Sequence, residues 1–133
     1  MANGTIAFDT LTTSDQANTG TEKSIDTSFI FNGVVKVWCS FDGDVAEASA
    51  VLDSFNTATY SDNGTGQYTI TYTNVMSSAN YGNLTGAGDN RTMGTGNTSP
   101  STSSSGDIFT RAANSATLTD GQNMTQSVVG DLA

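Results

Sequence analysis

The sequence predicts an all-β fold, namely an antiparallel β-sandwich or jelly-roll-like barrel of about six to eight short strands with little helix. Apolar and polar residues alternate in several short runs, as half-buried strands require. Turn-forming strings separate these runs at intervals of roughly ten residues. Asn, Ser, Thr and Gly make up about half of the 133 residues, and these residue types disfavour helices.

The N-terminal region is predicted to be an arm or docking segment over residues 1–24, ahead of a β-sandwich domain over residues 25–133. A short strand fits residues 3–8, because apolar side chains recur there. Residues 12–23 are polar and show no pattern, so they predict irregular structure.

The domain is predicted to begin with a hairpin. Residues 27–31 form one strand, Asn32-Gly33 forms the turn, and residues 34–41 form the partner strand. In the partner strand the odd-numbered residues make one apolar face, and Trp38 points to the other side. Trp38 is therefore expected in a second layer, under a loop or at a subunit contact.

The chain has one cysteine, Cys39, within the strand-like run VVKVWCSF. A single cysteine excludes an internal disulfide bond and a cysteine-based metal cluster. Its position in an apolar strand predicts a buried structural thiol.

The middle of the chain contains the clearest strand. Residues 45–50 (VAEASA) predict a helix of at most one or two turns, and residues 51–55 return to an extended pattern. The string DNGTG at 62–66 then favours a tight reversal, because Asn-Gly tolerates positive φ. In the following run QYTITYT (67–73), three apolar residues alternate with hydroxyl and amide side chains, which predicts a half-buried strand.

The last third of the chain shows weaker patterns. Residues 74–81 predict a short connector that folds back on the core. Residues 82–106 are dominated by Gly, Asn, Ser and Thr, and they predict a long surface loop or a weakly patterned edge; such loops commonly bind something or are ordered by a partner. Residues 107–119 and 122–132 each predict a further strand.

Charge and hydropathy exclude several classes of function. Thirteen acidic residues oppose four scattered basic residues, for a formal charge of −9. Nucleic-acid binding is not expected, because it requires clustered cations. Membrane insertion is not expected either, since no stretch approaches the roughly 20 apolar residues needed to span a bilayer. The first residues show no secretory signal, which predicts synthesis in a cytoplasm.

The candidates for chemistry are acidic residues. Histidine, the usual general base and a common metal ligand, is absent. A carboxylate pair drawn from Asp42, Asp44, Glu47 and Asp53 has the chemistry for glycoside hydrolysis, but Asp42-Gly43-Asp44 is first of all a turn string. The same segment is not an EF-hand, because Ala46 stands at the fifth position and no glutamate stands at the twelfth. A looser calcium site stays open, and no cofactor is predicted.

Three aromatic residues are candidates for contact with a partner or a glycan, namely Trp38, Tyr60 and Tyr81. Aromatic rings combine a large apolar surface with a polar edge, and they are enriched in interfaces and sugar-binding sites. Packing in the core or at a sheet edge is the favoured alternative for each of them.

Several strings in this chain resemble a family of phage proteins. The strings are KVWCSFDG (36–43), LDSFN (52–56), SDNGTGQYTITYTNVMSSANY (61–81) and the final VVGDLA. In their order and spacing they resemble the small tail-fibre-like and virion surface structural proteins of marine, cyanobacterial-type bacteriophages. The resemblance covers most of residues 25–81 and the last strand.

The resemblance implies a structural or attachment role on the virion, with no catalytic residues to carry over. The leading expectation is a non-enzymatic accessory component, such as a capsid decoration or knob protein or a small fibre-like subunit. Its partners would be other virion proteins, and it would occur in several copies or as a homo-oligomer. A tail-fibre-type protein that binds a receptor or a host surface glycan is the alternative, and a depolymerase is a third class.

Overall fold

The structure is a computed structural model that describes residues 10–12, 24–26, 33–96 and 102–133, with side chains described from residue 33 onward. In chain order the elements are β1 Thr10–Thr12, β2 Ser24–Asp26, β3 Val35–Phe41, α1 Glu47–Ala50, β4 Val51–Phe55, β5 Thr57–Asp62, β6 Gln67–Tyr72, β7 Gly82–Gly86, β8 Arg91–Thr95, β9 Ser105–Ala112 and β10 Met124–Val129.

Eight of these strands form two four-stranded antiparallel sheets, which confirms the predicted all-β sandwich. The first sheet has the strand order β4-β3-β10-β7, and the second has the order β5-β6-β9-β8. Strands β1 and β2 pair with each other in a separate two-stranded sheet. The four-residue helix α1 matches the short helix expected in VAEASA.

The chain crosses from the first sheet to the second at Asn56. This residue has a φ of 56°, and its side chain fixes the crossover by bonding to two other segments. Its Nδ2 donates to the carbonyl oxygens of Lys36 and Asn74, at 3.0 and 3.1 Å. Its Oδ1 accepts from the Asn74 backbone amide at 2.7 Å. Asparagine suits this corner because it tolerates the left-handed conformation.

The core lies between the two sheets, and its side chains come mainly from strands in which buried and exposed residues alternate. The apolar face of β6 is confirmed, since Tyr68, Ile70 and Tyr72 are all buried. Further buried side chains come from the neighbouring elements and include Val37, Cys39 and Phe41 of β3, Ile108 of β9, and Met124 and Val128 of β10. The prediction of a buried thiol at Cys39 is therefore also confirmed.

Val35 does not join this core, although its position in the alternating pattern predicted it. Its side chain is 44% exposed. The pairing of β3 with β10 shifts between Val128 and Val129, so that Val129 faces Val35 while Val128 faces Val37. A bulge of this kind places an extra residue in one strand and interrupts its alternation.

The prediction of a long loop over residues 82–106 is wrong for most of that segment. It contains β7 and β8, and β9 begins at Ser105. Both β7 and β8 are edge strands, as the alternative of a weakly patterned edge anticipated. An edge strand contributes few side chains to the core, so it needs no regular apolar pattern.

Two predicted strands, at residues 3–8 and 27–31, lie outside the described residues, as does part of the predicted arm. Strand β1 (Thr10–Thr12) lies within that arm and pairs with β2 (Ser24–Asp26). Strand β2 begins in the arm and runs across the boundary predicted between residues 24 and 25. That boundary stays a prediction.

The DNGTG turn is anchored in the second sheet. The Asn63 amide donates to the Gln67 carbonyl at 2.8 Å, and the Gln67 amide donates to the Gly64 carbonyl at 2.9 Å. Asp120 reinforces the turn from a distant loop, because its Oδ1 accepts from the Gly66 amide at 2.6 Å and from the Tyr68 hydroxyl at 2.9 Å. This carboxylate therefore ties the turn to the loop between β9 and β10.

We expect the protein to lose stability in alkaline solution. Burial raises the pKa of the Cys39 thiol from 9.0 to about 11. Burial also raises the pKa of the hydroxyls of Tyr60, Tyr68 and Tyr72, and the bond to Asp120 adds to this for Tyr68. The folded state thus favours the protonated forms. Their stabilising contribution is complete below about pH 9 and falls as the pH rises further, by up to about 1.4 kcal/mol per pH unit for each group.

Urea unfolding between pH 8 and pH 11 measures this decline. The variant Tyr60→Phe keeps the ring and removes one titrating hydroxyl, so its free energy of unfolding should fall less steeply above pH 10. An equal slope for the variant and the parent protein would contradict the assignment.

Candidate functional site

The outer face of the first sheet carries a row of four aligned residues, three of them apolar, that crosses all four strands. Cross-strand pairing aligns Phe55 of β4 with Trp38 of β3, Trp38 with Ser127 of β10, and Ser127 with Leu84 of β7. The side chains of Phe55 and Leu84 are 56% and 57% exposed, and Trp38 is half-buried. We call Phe55, Trp38, Ser127 and Leu84 the outer row.

One acidic and one basic residue flank the outer row. Asp53 of β4 pairs with Ser40 in the next register position, and Lys36 precedes Trp38 by two residues on the same face of β3. Their formal charges cancel, in contrast with the formal charge of −9 of the whole chain. The outer row is therefore a surface that another protein can approach with little electrostatic repulsion.

A second candidate site is an open cleft of about 450 Å³ at one end of the sandwich, which we call the Tyr81 cleft. The connector after β6 forms one wall, and the segment that follows β10 forms the other. Its lining includes Ser77, Ser78, Asn80, Tyr81, Gly130 and Asp131. Its volume lies within the range of about 300–1,000 Å³ that is typical of small-molecule sites.

The core holds the Tyr81 side chain in place. Its hydroxyl donates to the Ser105 carbonyl at 2.8 Å and accepts from the Tyr72 hydroxyl at 3.0 Å. The rings of Tyr72 and Tyr81 pack edge to face, with centroids 5.9 Å apart. The hydroxyl of Tyr81 thus bonds within the fold, and the residue lines the cleft.

Backbone pairing joins the two walls of the cleft. Met76 and Leu132 form an antiparallel bridge. The Ser77 amide donates to the Asp131 carbonyl at 2.9 Å, and the Ala133 amide donates to the Val75 carbonyl at 3.0 Å. Because these bonds link the connector directly to residues 131–133, the shape of the cleft is set before any ligand arrives.

The structure separates the three aromatic candidates. Tyr60 is a core residue with 9% exposure, and its ring packs against those of Phe41 and Tyr68, with centroid distances of 5.2 and 5.9 Å. Tyr60 therefore offers little surface to a partner or glycan, and the favoured alternative of core packing describes its position. Trp38 lies in the outer row, and Tyr81 lines the cleft.

The acidic candidates lie in a turn, at the start of α1 and on β4. The Asp42 carboxylate accepts from the Asp44 amide at 2.9 Å, which is the predicted turn chemistry. Glu47 begins α1, and the Asp53 carboxylate on β4 accepts a hydrogen bond from the Ser54 amide at 2.8 Å. In the part of the chain that the structure describes, no three His, Cys, Asp or Glu side chains are grouped so that they could hold a metal ion.

No protein-family model, curated protein or solved structure matches this chain significantly. The fold and its surfaces therefore bear most directly on the function of this chain. Within the described residues, no helix has the length and apolar character needed to cross a bilayer.

Sequence reasoning missed most members of both sites. Phe55 and Leu84 lie in strands whose sequences show no regular alternation of apolar and polar residues. Their alignment with Trp38 depends on the pairing of four strands. Asn80 and Asp131 are far apart in the chain and come together through the Met76–Leu132 bridge. The signal that did work was the pattern of residues 74–81, which predicted a connector that folds back on the core, and Tyr81 of this connector packs against the core.

Proposed function

We propose that this chain is a non-enzymatic structural protein of a bacteriophage virion, present as a small accessory component on the particle surface. It would be a capsid decoration or knob protein or a small fibre-like subunit. The strings that resemble virion surface proteins support this role. They lie in β3, β4, the end of β5, β6, the connector after β6 and the end of β10. The observation that carries the proposal is the outer row.

The outer row fits a protein partner. Exposed apolar side chains that lie together commonly mark an interface, and aromatic residues such as Trp38 and Phe55 are enriched among residues that dominate binding energy. The zero net charge of the flanking Lys36 and Asp53 fits contact with another virion protein of the capsid or tail. Docking through one sheet face leaves the second sheet exposed and allows several copies on one particle.

Replacing Phe55 and Leu84 together with serine is expected to reduce incorporation into particles at least tenfold. Both side chains are more than half exposed, so the fold should survive while the interface loses two apolar anchors. Quantitative mass spectrometry of purified particles, with the variant encoded in the phage genome, gives the copy number. Val45→Ser is the matched control, because Val45 is also exposed but lies outside the sheet.

Two results would contradict this proposal. One is absence of the parent protein from purified particles. The other is equal incorporation of the double variant, the Val45→Ser variant and the parent, which would show that the outer row makes no contact. Imaging of labelled particles then distinguishes a capsid position from a tail position.

A tail-fibre-type attachment protein that binds a host receptor or surface glycan is the second candidate function. The Tyr81 cleft favours it, because an aromatic ring and several hydrogen-bonding side chains line one preformed depression. This function predicts that the isolated protein binds host cells. Absence of cell binding at high protein concentration would contradict it.

A further inference from the structure

We propose that the Tyr81 cleft binds a neutral saccharide unit. This inference rests on the second candidate function and gives it a location and a ligand class. Three properties of the cleft support it, namely its lining chemistry, its charge and its rigidity.

The lining chemistry matches a polyhydroxylated ligand. Ser77, Ser78 and Asn80 supply hydroxyl and amide groups that both donate and accept hydrogen bonds. Asp131 supplies a carboxylate, which accepts hydrogen bonds from hydroxyl groups and makes stronger bonds than a neutral acceptor. Tyr81 adds an aromatic surface for the apolar face of a sugar ring. An apolar ligand would leave these polar groups without partners, at a cost in affinity.

The charge of the cleft selects against acidic sugars. Asp131 carries a negative charge, and the described lining residues include no Lys or Arg. A carboxylate or phosphate on the ligand would lie close to Asp131 without a compensating cation, and like charges at short range repel. The cleft therefore favours hydroxylated ligands without a negative charge.

The rigidity of the cleft reduces the entropic cost of binding. Tyr81 is held by hydrogen bonds to Tyr72 and Ser105, and backbone bonds join the two walls. Gly130 lets Tyr81 pack close to the chain, since a Cβ at this position would lie 2.9 Å from the Cβ of Tyr81 and 2.9 Å from Cε of Met76. A site that is ordered before binding loses less freedom when the ligand arrives.

Titration of the full chain with individual sugars, followed by NMR chemical shifts, tests this inference. The neutral probes are glucose, galactose, mannose and N-acetylglucosamine, and glucuronic acid is the acidic probe. We expect saturable binding of at least one neutral sugar, with the largest shifts at Asn80, Tyr81 and Asp131. We expect at least tenfold weaker binding of glucuronic acid.

Variants locate the binding in the cleft. Asp131→Ala and Asn80→Ala should each weaken binding of the neutral sugar about tenfold, because each removes a hydrogen-bonding side chain from an exposed position. Asp44→Ala is the matched control, since it removes an exposed carboxylate from a loop outside the cleft. Unchanged affinity in Asp131→Ala and Asn80→Ala would overturn the inference, as would the absence of binding by all four neutral sugars.

The outcomes separate this inference from the functions on which it depends. Host-cell binding that persists in Asp131→Ala and Asn80→Ala would overturn the cleft as the site but leave an attachment function standing. Sugar binding by a chain that is absent from virions would uphold the cleft and overturn the virion role. Loss of both sugar binding and cell binding in these two variants alone would support the inference and the attachment function together.

Discussion

Replacing Gly66 with alanine is expected to lower the free energy of unfolding by about 2–5 kcal/mol. Gly66 has a φ of +65°, which is strained for residues with a Cβ. An added Cβ would lie 2.6 Å from the Thr110 carbonyl oxygen and 2.8 Å from the Thr119 amide nitrogen. Both of these atoms belong to the backbone, so neither can move aside as a flexible side chain would.

The same substitution also disturbs the contact of the turn with Asp120, because displacement of Gly66 lengthens the bond from its amide to the carboxylate. Urea unfolding at pH 7 measures the effect. Gly33→Ala serves as the control, since an added Cβ there meets nothing within 4 Å, and its effect should stay within about 0.5 kcal/mol. If the two variants had the same stability, the proposed packing of the DNGTG turn would be incorrect.

Replacing Phe41 with alanine is expected to cost about 3–5 kcal/mol of stability. The Phe41 ring is fully buried and packs against the rings of Tyr60 and Tyr68, at centroid distances of 5.2 and 5.3 Å. Its removal opens a cavity beside the rings of Tyr60 and Tyr68 in the core of the sandwich. Such a cavity adds to the lost burial of the ring itself, because the surroundings relax only in part.

Phe55→Ala provides the matched control for Phe41→Ala. Both phenylalanines belong to the first sheet, but Phe55 lies on its outer face and is mostly exposed. We expect Phe55→Ala to lower the unfolding free energy by less than about 1 kcal/mol. Urea unfolding of the two variants therefore tests which face of the sheet is inside, and a larger loss for Phe55→Ala would reverse that assignment.

The predictable part of this fold is the part in which side-chain alternation decides burial. Strand β6 shows it best, since its three buried residues were evident from QYTITYT alone. Strand β8 shows the opposite case. Its Gly94 packs against the Phe109 ring, which would lie 2.5 Å from an added Cβ. A glycine that makes room for a neighbour's ring leaves no apolar signal of its own, so the strand looked like a loop.

The candidate sites were less predictable than the fold, for a related reason. Trp38, Tyr60 and Tyr81 stood out as aromatic residues, but the sequence did not distinguish the core residue Tyr60 from the other two. The outer row needs the register of three strand pairs, and the cleft needs the bridge between Met76 and Leu132. Both depend on contacts between distant parts of the chain, which local patterns do not encode.

The pairing of β3 with β10 also has a consequence for the order of folding. Among the strands that the structure describes in the two sheets, these are the first and the last in the chain, yet they are neighbours at the centre of the first sheet. Contacts between residues so distant in the chain form slowly, because the entropy cost of closing a long loop comes before any stabilisation from the contacts. During synthesis β3 and β4 therefore leave the ribosome early, and the second edge of β3 stays unpaired until β10 has been made. The second sheet, whose strands lie closer together in the chain, is the better place for folding to start.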